Sequence, residues 1–192
     1  MPVFTGMTAN LDGTMIFLLK EGKLELGIRK ALLNLGIPPE IRKGKHGADI
    51  IRNKIPKYII EIKGNANNAG DEFASNTKDR TFFSVIGDIC KRLRPKKEHY
   101  TYLLAIPEDR KYRNFVGKIL EFRKRISLVI IWCKSYSEFD VECPNQQIMR
   151  FEEFCKLLKV RELEEVRNNF TLHAKKLGIR SEKDLLKTIA RD

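Results

Sequence analysis

The two runs on either side of Pro56 constrain this chain most. Ala48-Asp-Ile-Ile-Arg-Asn53 and Lys57-Tyr-Ile-Ile-Glu-Ile-Lys63 are rich in β-branched and aromatic residues. Separated by a proline-bearing turn, they predict a β-hairpin. If the turn centres near residue 55, residues whose numbers sum to 110 face one another, and Asp49 lies across from Glu61. Directly opposed residues have Cβ atoms roughly 4.5–5.5 Å apart. The period of a strand puts Lys63 on the face of Glu61. Two like charges in direct opposition destabilise a sheet. A divalent cation turns the same repulsion into a binding site, and Mg²⁺ needs only one or two carboxylates beside water and phosphate. The alternatives are a solvated face on which both acids pair with nearby bases, or a one-residue slip that sends them to opposite faces.

Around the hairpin the apolar spacing predicts a mixed α/β chain with a central sheet. A first helix is expected from Gly13 to Leu35, ended by Gly36 and Pro38-Pro39. A short extended piece, Ile37 to Lys43, leads into the hairpin. Gly64 to Gly70 is small and polar and reads as a loop. A second helix covers Thr77 to Leu93, a strand Tyr100 to Ile106, a helix Lys111 to Arg125 and a buried strand Ser127 to Cys133. From Phe151 onward the pattern is helical, with Ser181 and Asp184 as a capping box for the last helix. The division expected is a core, residues 1–150, and a helical extension, 151–192. Ala174 to Ser181 has the shape of a helix-turn-helix turn but is too short for the unit, so a helical hairpin is the simpler reading.

A third acid comes from the first helix. At about 100° per residue, Leu18, Ile28, Leu32 and Leu35 fall within roughly 80° of Glu25, away from the lysines. A carboxylate in an apolar arc needs a partner. Glu21 shares the face and is the rival for the same role.

Charge narrows the partner. With 37 Lys and Arg against 25 Asp and Glu among 192 residues, the net charge is +12. Such a surplus points to a polyanion, nucleic acid before membrane. No run reaches the roughly 18 apolar residues of a membrane helix. The N-terminus lacks the pattern of a signal peptide. Cys90, Cys133, Cys143 and Cys155 fit no metal or redox spacing, which suggests reduced thiols and a cytoplasmic protein. Arg42, Lys43 and Lys45 form the basic cluster nearest Asp49. Further clusters run from Lys91 to Lys97, Arg110 to Arg113 and Arg123 to Arg125. They offer phosphate contacts or simply a solvated surface.

A helix acid, Asp49 and Glu61-Ile62-Lys63, in this order and on these elements, resemble the PD-(D/E)XK nuclease superfamily over about residues 13–133. Gly47-Ala48-Asp49-Ile50 is similar to that superfamily's Gly-x-Asp-Ile segment, with Ala where its name has Pro. Glu25 through Leu35-Gly36 has the shape of the helix acid and following Leu-Gly in Mrr-like members. The resemblance implies a restriction-endonuclease-like core: helix, three antiparallel strands, helix, strand. It implies hydrolysis of phosphodiester bonds in double-stranded or branched DNA. Asp49, Glu61 and the Ile62 carbonyl would hold Mg²⁺, with Mn²⁺ able to substitute. Lys63 would position the attacking water or neutralise charge on the phosphate. Glu25 would assist as a further catalytic residue. The loop of residues 64–70, with Asn65, is either a DNA contact or a plain connector. Arg80 and Ser84, one turn apart on the second helix, would stand in for the Gln-x-x-x-Tyr pair of some members.

Restriction-type cleavage leads among the functions implied, followed by junction or repair cleavage. A non-catalytic nucleic-acid-binding protein of the same fold is the alternative. A homodimer is expected. A duplex has two strands to cut, and the tail carries Phe154, Leu158, Leu163, Phe170, Leu177 and Leu185, which need burial.

Overall fold

The computed structural model describes residues 7–9, 15–40, 48–66, 71–94 and 99–176. The chain divides into two units, Met1–Cys155 and Lys156–Asp192. The first is an α/β unit built on a six-stranded mixed sheet. Its elements are β1 (Met7–Ala9), β2 (Met15–Phe17), α1 (Glu21–Asn34), β3 (Ile50–Arg52), β4 (Tyr58–Ile62), α2 (Ser75–Lys91) and β5 (Thr101–Pro107). They continue with α3 (Arg110–Lys118), α4 (Leu120–Ile126), β6 (Leu128–Cys133), β7 (Phe139–Glu142), β8 (Ile148–Arg150) and the start of α5 (Phe151–Lys176). The second unit, as far as Lys176, is the rest of α5.

The large sheet runs β3-β4-β5-β6-β7-β8, while β1 and β2 pair separately. β3 and β4 are antiparallel with Ile50 opposite Ile60, Ile51 opposite Ile59 and Arg52 opposite Tyr58. This is the register expected from the sequence. β4, β5 and β6 are parallel, joined by α2 and then by α3 with α4, and β7 and β8 return antiparallel. Strand alternation gives each sheet face its own cover. Ile59, Leu104, Ile106, Ile130 and Trp132 pack with Phe82, Val85 and Ile89 of α2 and with Tyr112 and Phe115 of α3. On the other face the Tyr58 hydroxyl donates to the Ile37 carbonyl, just beyond α1, at 2.8 Å. α1 itself packs against β4 and buries Leu24, Ile28 and Leu32.

Four expectations are corrected. Helix α1 starts at Glu21, and Met15–Phe17, expected within it, is a strand paired with Met7–Ala9. Leu18 and Lys20 are tied to Tyr136, whose hydroxyl donates to the Leu18 carbonyl and accepts from the Lys20 N–H. The same turn explains Gly27: a Cβ there would come within 2.0 Å of the Tyr136 carbonyl oxygen. Second, the helix expected over 111–125 is two helices that break at Ile119. Third, the region before Phe151 holds two further strands, β7 and β8. Fourth, Ile37 to Glu40 is not a full strand. It meets β3 through the Glu40 N–H donating to the Ile51 carbonyl at 2.9 Å, and residues 41–43 lie outside the described residues.

Candidate active site at the carboxyl end of β4

Every residue of β4 is buried, and four of its five, Tyr58, Ile59, Ile60 and Ile62, are apolar. The exception is Glu61, only 3% exposed. Alternation turns it to the α2 side of the sheet, with Ile59. Asp49 immediately precedes β3, and the observed register carried one residue further sets it opposite Glu61. Its carboxylate takes over where the strand ladder stops: Asp49 Oδ2 accepts the Ile62 N–H at 2.7 Å. The N–H and C=O of one strand residue point to the same neighbour. The Ile62 carbonyl is therefore directed to the Asp49 side as well.

Electrostatics tie the two acids together. Burial first, and then the Asp49 charge, push the Glu61 carboxyl up to about 7, against the pull of Arg92. Arg92, just past the C-terminus of α2, donates from Nε to Glu61 Oε1 at 2.5 Å. Asp88, one turn earlier, adds to the negative field at Glu61 and pairs with Lys91 at 3.1 Å. Arg80, Ser84, Asp88 and Arg92 recur every four residues, so they form one stripe along α2. Arg80 and Ser84 are exposed on it. The sequence pairs those two and sets Arg92 only within the basic cluster Lys91 to Lys97, yet Arg92 is the member of the stripe that reaches Glu61.

Lys63 follows β4 and still joins the parallel ladder, its N–H donating to the Ala105 carbonyl at 2.9 Å. Its Nζ lies 3.2 Å from both oxygens of Glu21. Glu21 is thus the helix acid in contact with the lysine. Its carboxyl is raised, by burial first; Lys63 pulls the other way, and Asp49 and Glu25 add to the rise. Glu25 flanks the buried stripe of α1 and pairs with Arg29 at 2.8 Å. Arg29 in turn donates to the Asp49 carbonyl at 2.6 Å, so Glu25 reaches Asp49 through the arginine.

The close approach of α1 to β4 depends on Gly64 and Asn65. A Cβ at Gly64 would come within 2.3 Å of the Leu19 carbonyl oxygen and 2.8 Å of the Glu21 nitrogen. Asn65 is fully buried; its Oδ1 accepts the Leu19 N–H at 2.7 Å and its own N–H donates to the Leu19 carbonyl at 3.1 Å. Asn65, read from the sequence as a DNA contact, stands as a clamp on the segment entering α1. Beyond it, buried Lys78 of α2 bonds Asp109 at 2.5 Å and Glu72 at 2.6 Å, fixing α2 to the end of β5. Arg42, Lys43 and Lys45 lie outside the described residues.

The donor set suits a hard cation: two carboxylates in mutual repulsion and a backbone carbonyl. Among the described residues no group of three or more His, Cys, Asp or Glu side chains is placed to hold a metal ion. Two carboxylates are enough for Mg²⁺, which keeps several waters. No family model matches the chain, and comparison with curated proteins and with solved structures returned no match. The likeness to the nuclease superfamily therefore rests on these residues and their setting alone.

Proposed function

We propose that the chain is a metal-dependent DNA endonuclease of the PD-(D/E)XK type, acting as a restriction endonuclease. The observation that carries this reading is the register of β3 and β4, which faces Asp49 toward Glu61 at the end of the strand that continues into Lys63. The order α1, β3, β4, α2, β5 supports a restriction-endonuclease-like core, with the segment at Glu40 beside β3 where a third antiparallel strand would run. Asp49, Glu61 and the Ile62 carbonyl would hold Mg²⁺ or Mn²⁺. A cation bound there supplies an activated water and a clamp on the phosphate oxygen. Glu21 keeps the Lys63 ammonium at the carboxyl end of β4, where it can orient that water or meet charge on the phosphate. Glu25, through Arg29, fixes the Asp49 backbone. The +12 surplus supplies affinity for the DNA backbone. The free cysteines among the described residues fit a reducing cytoplasm.

One observation favours a second reading. Arg92 already neutralises Glu61, as it would in a DNA-binding protein that has no use for a cation. Incubation of supercoiled plasmid and of a four-way junction with Mg²⁺ or with EDTA decides between them. Mg²⁺-dependent cutting of plasmid supports restriction-type cleavage, and cutting of the junction alone supports resolution. Binding of both without cutting of either would refute the nuclease.

A further inference from the structure

We propose that Arg92 is the phosphate-binding arm of the site: it guards Glu61 in the resting protein and turns to a DNA phosphate oxygen once a divalent cation occupies the Asp49–Glu61 pair. This rests on the nuclease reading and adds a residue that the sequence motif does not contain. Arg92 touches Glu61 through Nε only. Its two terminal nitrogens bond no other group among the described residues, and its side chain is 25% exposed. A guanidinium carries five donors in a planar fork suited to two phosphate oxygens. Here the two terminal nitrogens of the fork are unused while Nε bonds a buried acid.

The backbone beneath the arm is held at two points. The Tyr102 hydroxyl accepts the Arg94 N–H at 2.6 Å and donates to the Arg92 carbonyl at 3.4 Å. Tyr102 lies on β5 opposite Ile59, so the anchor belongs to the sheet. Arg92 is fixed at its root and free at its tip, which allows the side chain to swing without moving α2. A cation at Glu61 and a guanidinium on the same carboxylate repel each other, so arrival of one releases the other. Lys91 and Arg94, both exposed, flank the released arm with further positive charge.

Two binding measurements without turnover test this. Calorimetric titration of Mn²⁺ into the wild type, Arg92→Ala, Arg92→Lys and Asp49→Asn proteins reads the guard. Fluorescence anisotropy of a short duplex in Ca²⁺, over a range of salt, reads the arm. Loss of the guarding charge should tighten Mn²⁺ binding by Arg92→Ala roughly 10-fold. The same variant should bind duplex roughly 10-fold more weakly. Its salt slope should fall by about one. Arg92→Lys keeps the charge and loses the fork, and should restore the slope with only part of the affinity. Unchanged duplex affinity in Arg92→Ala overturns the arm, and unchanged or weaker Mn²⁺ binding overturns the guard. If the wild type takes up no more Mn²⁺ than Asp49→Asn, the nuclease reading itself fails, and the inference with it.

Discussion

The buried charge of Glu61 should cost the cation-free protein stability, and the cost should grow with pH. The carboxyl rises from 4.5 to about 7 on folding. Between those values the folded chain holds a proton that the unfolded chain has released. Stability therefore falls as pH rises through this window and levels off above it. About 2.5 pK units at 1.36 kcal/mol each is about 3 kcal/mol. For a chain of this size, that is roughly 6–12 °C in melting temperature. Glu61→Gln keeps the shape, removes the charge and should abolish the effect. The assay is urea unfolding in EDTA at pH 5 and pH 8, for the wild type and the variant. The difference between the two proteins isolates Glu61 from every other titrating group, including Glu21, which shifts in the same direction. The variant should gain roughly 2–3 kcal/mol on the wild type between the two pH values, because pH 5 already lies above the unfolded value. An identical pH dependence in both proteins, or a relative gain by the wild type at pH 8, would refute the reasoning.

Mg²⁺ added at pH 8 should recover part of that loss in the wild type and none of it in Glu61→Gln, as read by melting temperature. Lys63→Ala should lose cleavage and keep most of its duplex affinity, because backbone contacts elsewhere supply the affinity. Away from the site, Glu142 holds buried Arg123 at 2.6 Å and the Trp132 indole N–H at 2.9 Å. Glu142→Ala should lower the unfolding free energy by about 3–5 kcal/mol, because it strands a buried guanidinium. A homodimer, proposed from the need to cut two strands, should show twice the 22.3 kDa chain mass by light scattering in high salt. A mass near 22.3 kDa at micromolar concentration would rule it out.

The hairpin was legible because two runs rich in β-branched and aromatic residues flank a short proline-bearing turn, which leaves little freedom of register. That one inference carried Asp49 and Glu61 to the same place. The start of α1 was not legible. Met15-Ile16-Phe17-Leu18-Leu19 is a short apolar run, and such runs fit a strand as well as a helix. What decides is remote: pairing with Met7–Ala9 and the grip of Tyr136 and Asn65 on the residues entering the helix. β7 and β8 have four and three residues, too few to show a period, and exist by pairing outward from β6. The break at Ile119 follows Gly117, but an isolated Gly inside a helical pattern is tolerated and does not by itself mark an end. At the site, a helical wheel set Glu25 and Glu21 on one face, and only the depth at which α1 meets Gly64 brings Glu21 to Lys63. Arg92 stands 31 residues from Glu61, and the crossover through α2 alone joins them.

The central claim is that Asp49 serves chemistry and not only the hairpin. Asp49→Asn separates the two, because its amide oxygen can still accept the Ile62 N–H while its charge is gone. Plasmid cleavage in Mg²⁺ by this variant, with duplex affinity measured in Ca²⁺ on the same preparation, tests the claim most directly. The account predicts lost cleavage with affinity kept; cleavage at the wild-type rate would contradict it.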